Sequence, residues 1–279
     1  MGKLLYSLVP KRTIKYDIDI YKKQVIHNGF ELQRIFKNVV INEASVVDKF
    51  MVARIVPTVS IFHNYKIYNK CIGKIQNLFP QRNIYKQKYE SGYPEDPVLL
   101  STLYMNKYLV GTFHNYNYDN IIDNLRKDLV FPSISDKKNF DLLSDIRSTN
   151  SVSIHVRKGD YVNTDLDIIG ISFYKSAIDL IRNNISNPQF YIFSDDADYI
   201  KINFSFLDKD SYKIIDWNKD RSSYIDMQLM SECKHNIIAN STFSYWAAYL
   251  NSNENKLVIR PKMQTKDRNT WTTKWIKNI

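Results

Sequence analysis

Along the second half of the chain, short apolar runs alternate with stretches whose apolar residues recur every three or four positions. Residues 151–156, 190–193, 213–216, 236–239 and 256–260 have the length and β-branched content of strands. Between them, 173–182 carries apolar groups at 174, 177, 178 and 181, and 197–202, 223–233 and 242–250 also read as helices. Strand and helix taking turns in this way predict a parallel, doubly wound α/β sheet. The first half is less regular. Residues 13–21 alternate with period two and predict a strand, 27–29 a turn and 30–36 a short helix. Residues 43–79 predict helix broken at Pro57 and Gly73, 80–100 a loop, 108–113 a strand, and 121–129 an amphipathic helix ending at Phe131-Pro132. Residues 133–150 are polar and partly helical, which puts the domain boundary at 150 and gives domains of 1–150 and 151–279.

Composition changes this picture little. The 279 residues are 44% hydrophobic and 24% charged, an ordinary globular balance, and 7 glycines with 8 prolines argue against disorder or linker-rich arrays. The net charge of +10 favours anionic partners such as nucleic acid, acidic membrane surfaces or phosphorylated substrates. No nucleic-acid-binding signature accompanies it, so no nucleic-acid partner is expected. Cys71 and Cys233 form neither a disulfide framework nor a zinc motif. No run approaches the roughly 18 apolar residues of a membrane span, and the first ten residues are too weakly apolar for a signal peptide. The expected location is the cytoplasm.

Candidate chemistry gathers at strand ends, where open α/β sheets bind ligands. The run Ser151-Val152-Ser153-Ile154-His155-Val156-Arg157-Lys158-Gly159-Asp160-Tyr161 changes from strand to loop. His155 and Arg157 should share a face, and the guanidinium fork with the adjacent ammonium suits phosphate oxygens. The plainer alternative is a basic surface loop with Asp160 pairing Arg157 or Lys158. Ser194-Asp195-Asp196 follows the next strand, and Asp195 would accept hydrogen bonds from a ribose or sugar hydroxyl, or Ser194 or Asp195 would cap a helix. Paired aspartates also suit Mg²⁺, but the basic loop can neutralise phosphate without it, so no metal is expected. Asn240-Ser241-Thr242-Phe243-Ser244 opens a helix with small polar groups, a phosphate seat or simply an N-cap. Asp226, among Met227, Leu229 and Met230, is either an exposed helix carboxylate or a buried one that would accept the two adjacent N–H donors of guanine.

These motifs, in this order and spacing, resemble the bacterial alpha-1,2-fucosyltransferases. The likeness rests on His155 to Tyr161, on Tyr191 to Asp196, and above all on the run from Asp226 to Leu250, with weaker likeness through His27–Phe36 and Leu125–Pro132. It implies a GT-B arrangement of two Rossmann-like domains, GDP-fucose as donor, a galactose-containing glycan as acceptor, inversion at the fucose carbon, and neither metal nor other cofactor. By motif, Arg157 would bind the diphosphate and stabilise departing GDP, with His155 and Asp160 completing that loop. Lys158, Asp195, Asp226, Asn240, Ser241, Thr242 and Ser244 would hold nucleotide and phosphate. Lys158 stands where the family usually has a second arginine, which keeps the charge but loses the bidentate fork. The family's opening strand and Gly-Gly-Leu-Gly-Asn-Gln loop have no counterpart here, so the N-terminal domain is expected to be truncated or rebuilt. Relatives decorate surface polysaccharides from the cytoplasmic side, and the basic surface would suit peripheral docking at an anionic membrane. The rival readings are a transferase using another nucleotide sugar, a non-catalytic relative that binds nucleotide sugar or glycan, and, on charge alone, a nucleic-acid binder.

Overall fold

The computed structural model describes residues 13–19, 21, 28–56, 66–86, 106–111, 119–159, 164, 169–262 and 276–279. The chain divides into two compact units, Met1–Val130 and Phe131–Ile279. In the first, helices α1 (Leu32–Ile35), α2 (Val46–Ala53), α3 (Lys66–Leu78) and α4 (Ile122–Asp128) accompany a parallel pair of strands, β1 (Ile84–Lys86) and β2 (Tyr108–Val110). Ser45 and Asp48 form a reciprocal capping box that starts α2. Gly73 lies inside α3 without breaking it, and the segment expected as a loop supplies β1. In place of the strand expected over 13–21, Tyr16 makes an isolated bridge to Glu43. Lys49 explains part of this: its buried ammonium draws Asp17 (3.3 Å) and Asp19 (2.6 Å) inward, and Tyr108 Oη donates to Asp17 at 2.6 Å. Pro57, His27 and most of 80–100 lie outside the described residues.

The second unit carries the α/β order that the periodicity predicts. Helix α5 (Lys137–Ser148) precedes β3 (Asn150–Val156). Then follow α6 (Ile171–Asn184), β4 (Pro188–Ser194), α7 (Ala197–Asn203), β5 (Tyr212–Ile215), α8 (Tyr224–Glu232), β6 (His235–Ile237), α9 (Thr242–Leu250), β7 (Val258–Arg260) and β8 (Ile276–Asn278). The six strands are all parallel in the order β5-β4-β3-β6-β7-β8. The chain winds outward from β3 to one edge, returns, and winds from β6 to the other, which is the dinucleotide-fold strand order. The direction reverses between β3 and β6. Strand β8 was not foreseen. The unit boundary lies ahead of residue 150 because Leu142 and Ile146 of α5 pack against Tyr191 and Phe193 of β4 and Leu229 of α8.

Strand β3 explains both layers. Val152, Ile154 and Val156 face one side and meet Tyr174, Ala177, Ile178 and Ile181, the stripe that the 3,1,3 spacing of α6 presents. The opposite side carries Ser151, Ser153 and His155, all buried. A parallel strand buried on both faces is ordinarily apolar on both. Here the polar side is matched by partners. Asn236 Nδ2 donates to Ser153 Oγ (2.7 Å) and to the Met230 carbonyl (2.8 Å). Asn251 Nδ2 donates to Asn236 Oδ1 (2.8 Å) and to the Cys233 carbonyl (2.7 Å). Small hydroxyls in β3 leave room for these amides, which tie α8 and the end of α9 to the sheet. Replacing one member orphans its neighbours in a dry interior. Asn236→Ala is therefore expected to lower unfolding stability by roughly 3 kcal/mol, read as a lower urea midpoint; an unchanged midpoint would show the network to be unimportant.

Candidate functional site

The carboxyl ends of β3 and β6 meet at the point where the winding direction reverses, the usual ligand position in such sheets. Arg157 leaves β3 there. Its Nη1 lies 3.1 Å from Asp195 Oδ2, and the backbone N–H of Lys158 donates to Asp195 Oδ1 at 2.9 Å. Register places Val156 opposite Ser194, so Asp195 begins where β3 ends. The carboxylate spans the two strand ends and holds the loop after β3 by both backbone and side chain. Gly159 is what permits this closeness: a Cβ there would come 2.8 Å from Asp195 Oδ2. Asp195 is thus a brace for Arg157 in this structure. The helix cap falls to Asp196, which accepts from Tyr199 N–H at 2.9 Å.

Lys158 turns the other way. It follows Val156 on the α6–α7 side, is buried, and sends its ammonium 3.3 Å from the Ile169 carbonyl and 4.9 Å above the Tyr199 ring. His155 sits on the Arg157 side against the Phe243 ring, with ring centres 5.7 Å apart. It is 5% exposed, and its Nδ1 has no hydrogen-bond partner among the described residues. Burial, reinforced by the Arg157 charge and opposed by Asp195, pushes its pKa down to about 4. At neutral pH the imidazole is uncharged. The strand end that the sequence furnishes with three cationic residues therefore presents Arg157 as its charge toward the switch point.

The loop after β6 fills the other side. Ser241 caps α9, its Oγ accepting from Phe243 N–H at 3.3 Å, and Ser244 Oγ donates back to the Ser241 carbonyl at 3.3 Å. Asn240 and Ser244 are buried, whereas Thr242 faces solvent. Asp226 lies in the first turn of α8, and helices following parallel strands begin at this same edge. Its Oδ1 accepts from Asn218 Nδ2 at 2.7 Å. Burial pushes its pKa up to about 7, Asn218 pulls against that rise, and the charge of Asp216 adds to it. Asp160 lies outside the described residues.

Sequence reasoning missed Asn218, Asn139, Trp217 and Arg260. The first three form a hydrogen-bonded cluster behind Asp226, from α5 and the loop after β5. Arg260 ends β7 at the carboxyl edge, fully enclosed. An arginine closing an otherwise apolar strand was a readable signal; one asparagine in a helix and another in a distant loop were not. Among the described residues, no three His, Cys, Asp or Glu side chains gather as a metal ion would require, and no helix is long and apolar enough to cross a membrane.

The sequence profile of glycosyl transferase family 11 matches residues 6–278. The chain is 29% identical over 264 residues to an alpha-1,2-colitosyltransferase of Escherichia coli, covering 91% of this chain and 83% of that protein. It is 35% identical over 120 residues to the O-antigen biosynthesis glycosyltransferase WbnK of Escherichia coli, 41% of this chain and 39% of that protein. A third similarity, 29% over 109 residues, is to galactoside alpha-(1,2)-fucosyltransferase 1 of Leontocebus fuscicollis, 37% of this chain and 30% of that protein. No solved structure matches the chain.

The depressed His155 pKa has a consequence for stability. The unfolded imidazole takes its proton near its ordinary value of 6.5, the folded one only near 4. Its contribution is complete above the unfolded value and is lost as pH falls through that window, up to about 3 kcal/mol. His235, also depressed by burial, adds to the same slope. Unfolding in urea between pH 7.5 and 4.5 should show this loss, and His155→Gln should flatten it. An equal slope in the variant would mean that His155 is not buried neutral.

Proposed function

The chain belongs to glycosyl transferase family 11, and on that premise we propose that it transfers L-fucose from GDP-fucose to a hydroxyl of a galactoside. The bond formed is an alpha-1,2 linkage, made with inversion. The observation that carries this reading is Arg157, braced by Asp195 and Gly159 at the switch point of the second unit. In the GT-B arrangement expected of such enzymes, this unit is the donor side and the first unit the acceptor side. The acceptor is a glycan of surface polysaccharide or oligosaccharide synthesis.

The acceptor oxygen attacks the anomeric carbon as the bond from that carbon to phosphate breaks. The bond's electron pair passes to the phosphate oxygen, and the hydroxyl proton goes to a general base, for which no described residue is put forward. Charge grows on the departing diphosphate. Arg157 meets it through charge-assisted hydrogen bonds, and the start of α9, capped by Ser241, adds its positive dipole end. Both are fixed before the reaction, which is where electrostatic stabilisation is most effective. His155 backs Arg157 as an uncharged ring and keeps the base of the site dry. Asp226, ionised, accepts the N1 and N2 hydrogens of guanine. In this reading no metal is needed to neutralise the diphosphate. Lys158 contributes by holding the loop from beneath, and Asp195 acts through Arg157. The net charge of +10 suits docking at an anionic membrane.

A second reading, favoured by the alignment over 91% of the chain to the colitosyltransferase, keeps the chemistry and changes the donor sugar to colitose. GDP release on mixing the protein with a galactoside and either GDP-fucose or GDP-colitose decides between them. Arg157→Ala is expected to lower the turnover of the preferred donor about 10²–10³-fold. Undiminished turnover would remove Arg157 from the mechanism, and tight donor binding without transfer by the unaltered protein would favour a non-catalytic role.

A further inference from the structure

The cluster behind Asp226 has a direction. Trp217 Nε1 can only donate, and it donates to Asn139 Oδ1 at 2.9 Å. Asp136 caps α5 and accepts from Asn139 N–H at 2.9 Å and from Asn139 Nδ2 at 3.0 Å. These backbone and side-chain bonds hold its carboxyl below its ordinary value, so it is ionised and can only accept. A donor-only group at one end and an acceptor-only group at the other leave Asn139 one amide orientation. Asn139 in turn faces Asn218 in a reciprocal pair, Nδ2 to Oδ1 in both directions at 2.8 and 3.0 Å. Asn218 is therefore fixed as well, and the group it must turn to Asp226 is its second N–H, at 2.7 Å from Oδ1. Flipping Asn218 would bring an amide oxygen against a carboxylate oxygen. Asp226 Oδ2 has no hydrogen-bond partner among the described residues. Asn139 and Asn218 are themselves buried.

We propose that Asn218, oriented by Asn139, is a positioning residue for base recognition: it fixes the Asp226 carboxylate in the rotamer that presents its second oxygen, and keeps it an acceptor for the paired N–H donors of a guanine nucleotide. This deepens the donor reading above and rests on it. Asn218's bond favours the ionised carboxylate against burial and against Asp216. The other charged groups on the segments that build the cluster are Asp136, the cap of α5, Lys138 of α5, 3.6 Å over the Trp217 ring, and Lys219, Asp220 and Arg221 on the turn before α8. The first turn of α9, Thr242-Phe243-Ser244, carries none. Removing the amide should therefore raise the pH at which Asp226 takes a proton, and base binding should be lost from that higher pH downward.

The test is calorimetric titration of the full chain with GDP, and with IDP, which lacks the 2-amino group, from pH 6 to 9. For the unaltered protein, affinity for GDP is expected to fall as pH drops through about 7, where Asp226 takes up its proton. In Asn218→Ala that midpoint should rise by about one pH unit, so an affinity loss of about fivefold at pH 7, approaching tenfold at pH 6, is largely restored at pH 9. The preference for GDP over IDP should narrow. The titration of the nucleotide's own phosphate is common to both proteins and drops out of the difference. Asn139→Ala, which loosens the same amide from behind, should move both readouts in the same direction and serves if Asn218→Ala does not fold. An unmoved midpoint with an unmoved GDP/IDP ratio overturns the positioning role while leaving donor binding intact. Failure of the unaltered protein to bind GDP, or full binding by Asp226→Ala, overturns the donor reading and this inference together.

Discussion

One carboxylate organises the candidate site. Asp195 accepts the Lys158 N–H and neutralises one arm of Arg157 where β3 and β4 end side by side. Without that brace, the chain beyond Val156 would have a long, flexible cation on a loop, and ordering it would cost entropy at the moment a ligand bound. With it, much of that ordering is already done in folding. The brace also requires glycine at 159, since any side chain there meets the carboxylate at 2.8 Å. A single acidic residue thus sets the backbone path, the direction of the guanidinium and the identity of a neighbouring position.

The same principle of polar groups held by polar groups recurs on one face of the sheet. Ser153, Asn236 and Asn251 lock α8 and α9 beneath the sheet. Asn139 and Asn218 hold Asp226 at the start of α8. The opposite face of β3 is apolar and packs conventionally on α6. This division has a physical logic. Dispersion and burial suffice to stack a helix on a sheet, but they do not fix the rotation of a carboxylate or an amide; directional hydrogen bonds do. The face that carries the candidate chemistry is the one where directional bonds replace part of the apolar core.

Periodicity made the second unit legible almost element by element, because parallel strands and their helices differ in both length and spacing. It failed at β8, a three-residue strand that is stable only through pairing with β7. In the first unit, alternation over 13–21 suggested a strand, yet Asp17 and Asp19 are turned to the buried Lys49, a long-range ion pair that no local pattern encodes. At the site, Arg157, Asp226 and the cap of α9 could be picked out from position. The outward or inward sense of Lys158 could not, since it depends on an aromatic ring at 199 and a carbonyl at 169. Nor could the role of Asp195, which reads as a ligand-binding carboxylate until its partners are seen. The Asn139–Asn218 pair joins residues from α5 and the loop after β5, brought together only by the fold.

The claim on which most depends is that the Asp195 brace presents Arg157 to a diphosphate. It is tested most directly by comparing the affinities of guanosine, GMP and GDP for the unaltered protein and for Gly159→Ala, whose added methyl group must push Asp195 aside. The account predicts that the gain in affinity from guanosine to GDP shrinks about tenfold or more in the variant, while guanosine itself binds equally to both. An undiminished gain from guanosine to GDP in a folded Gly159→Ala protein would contradict it.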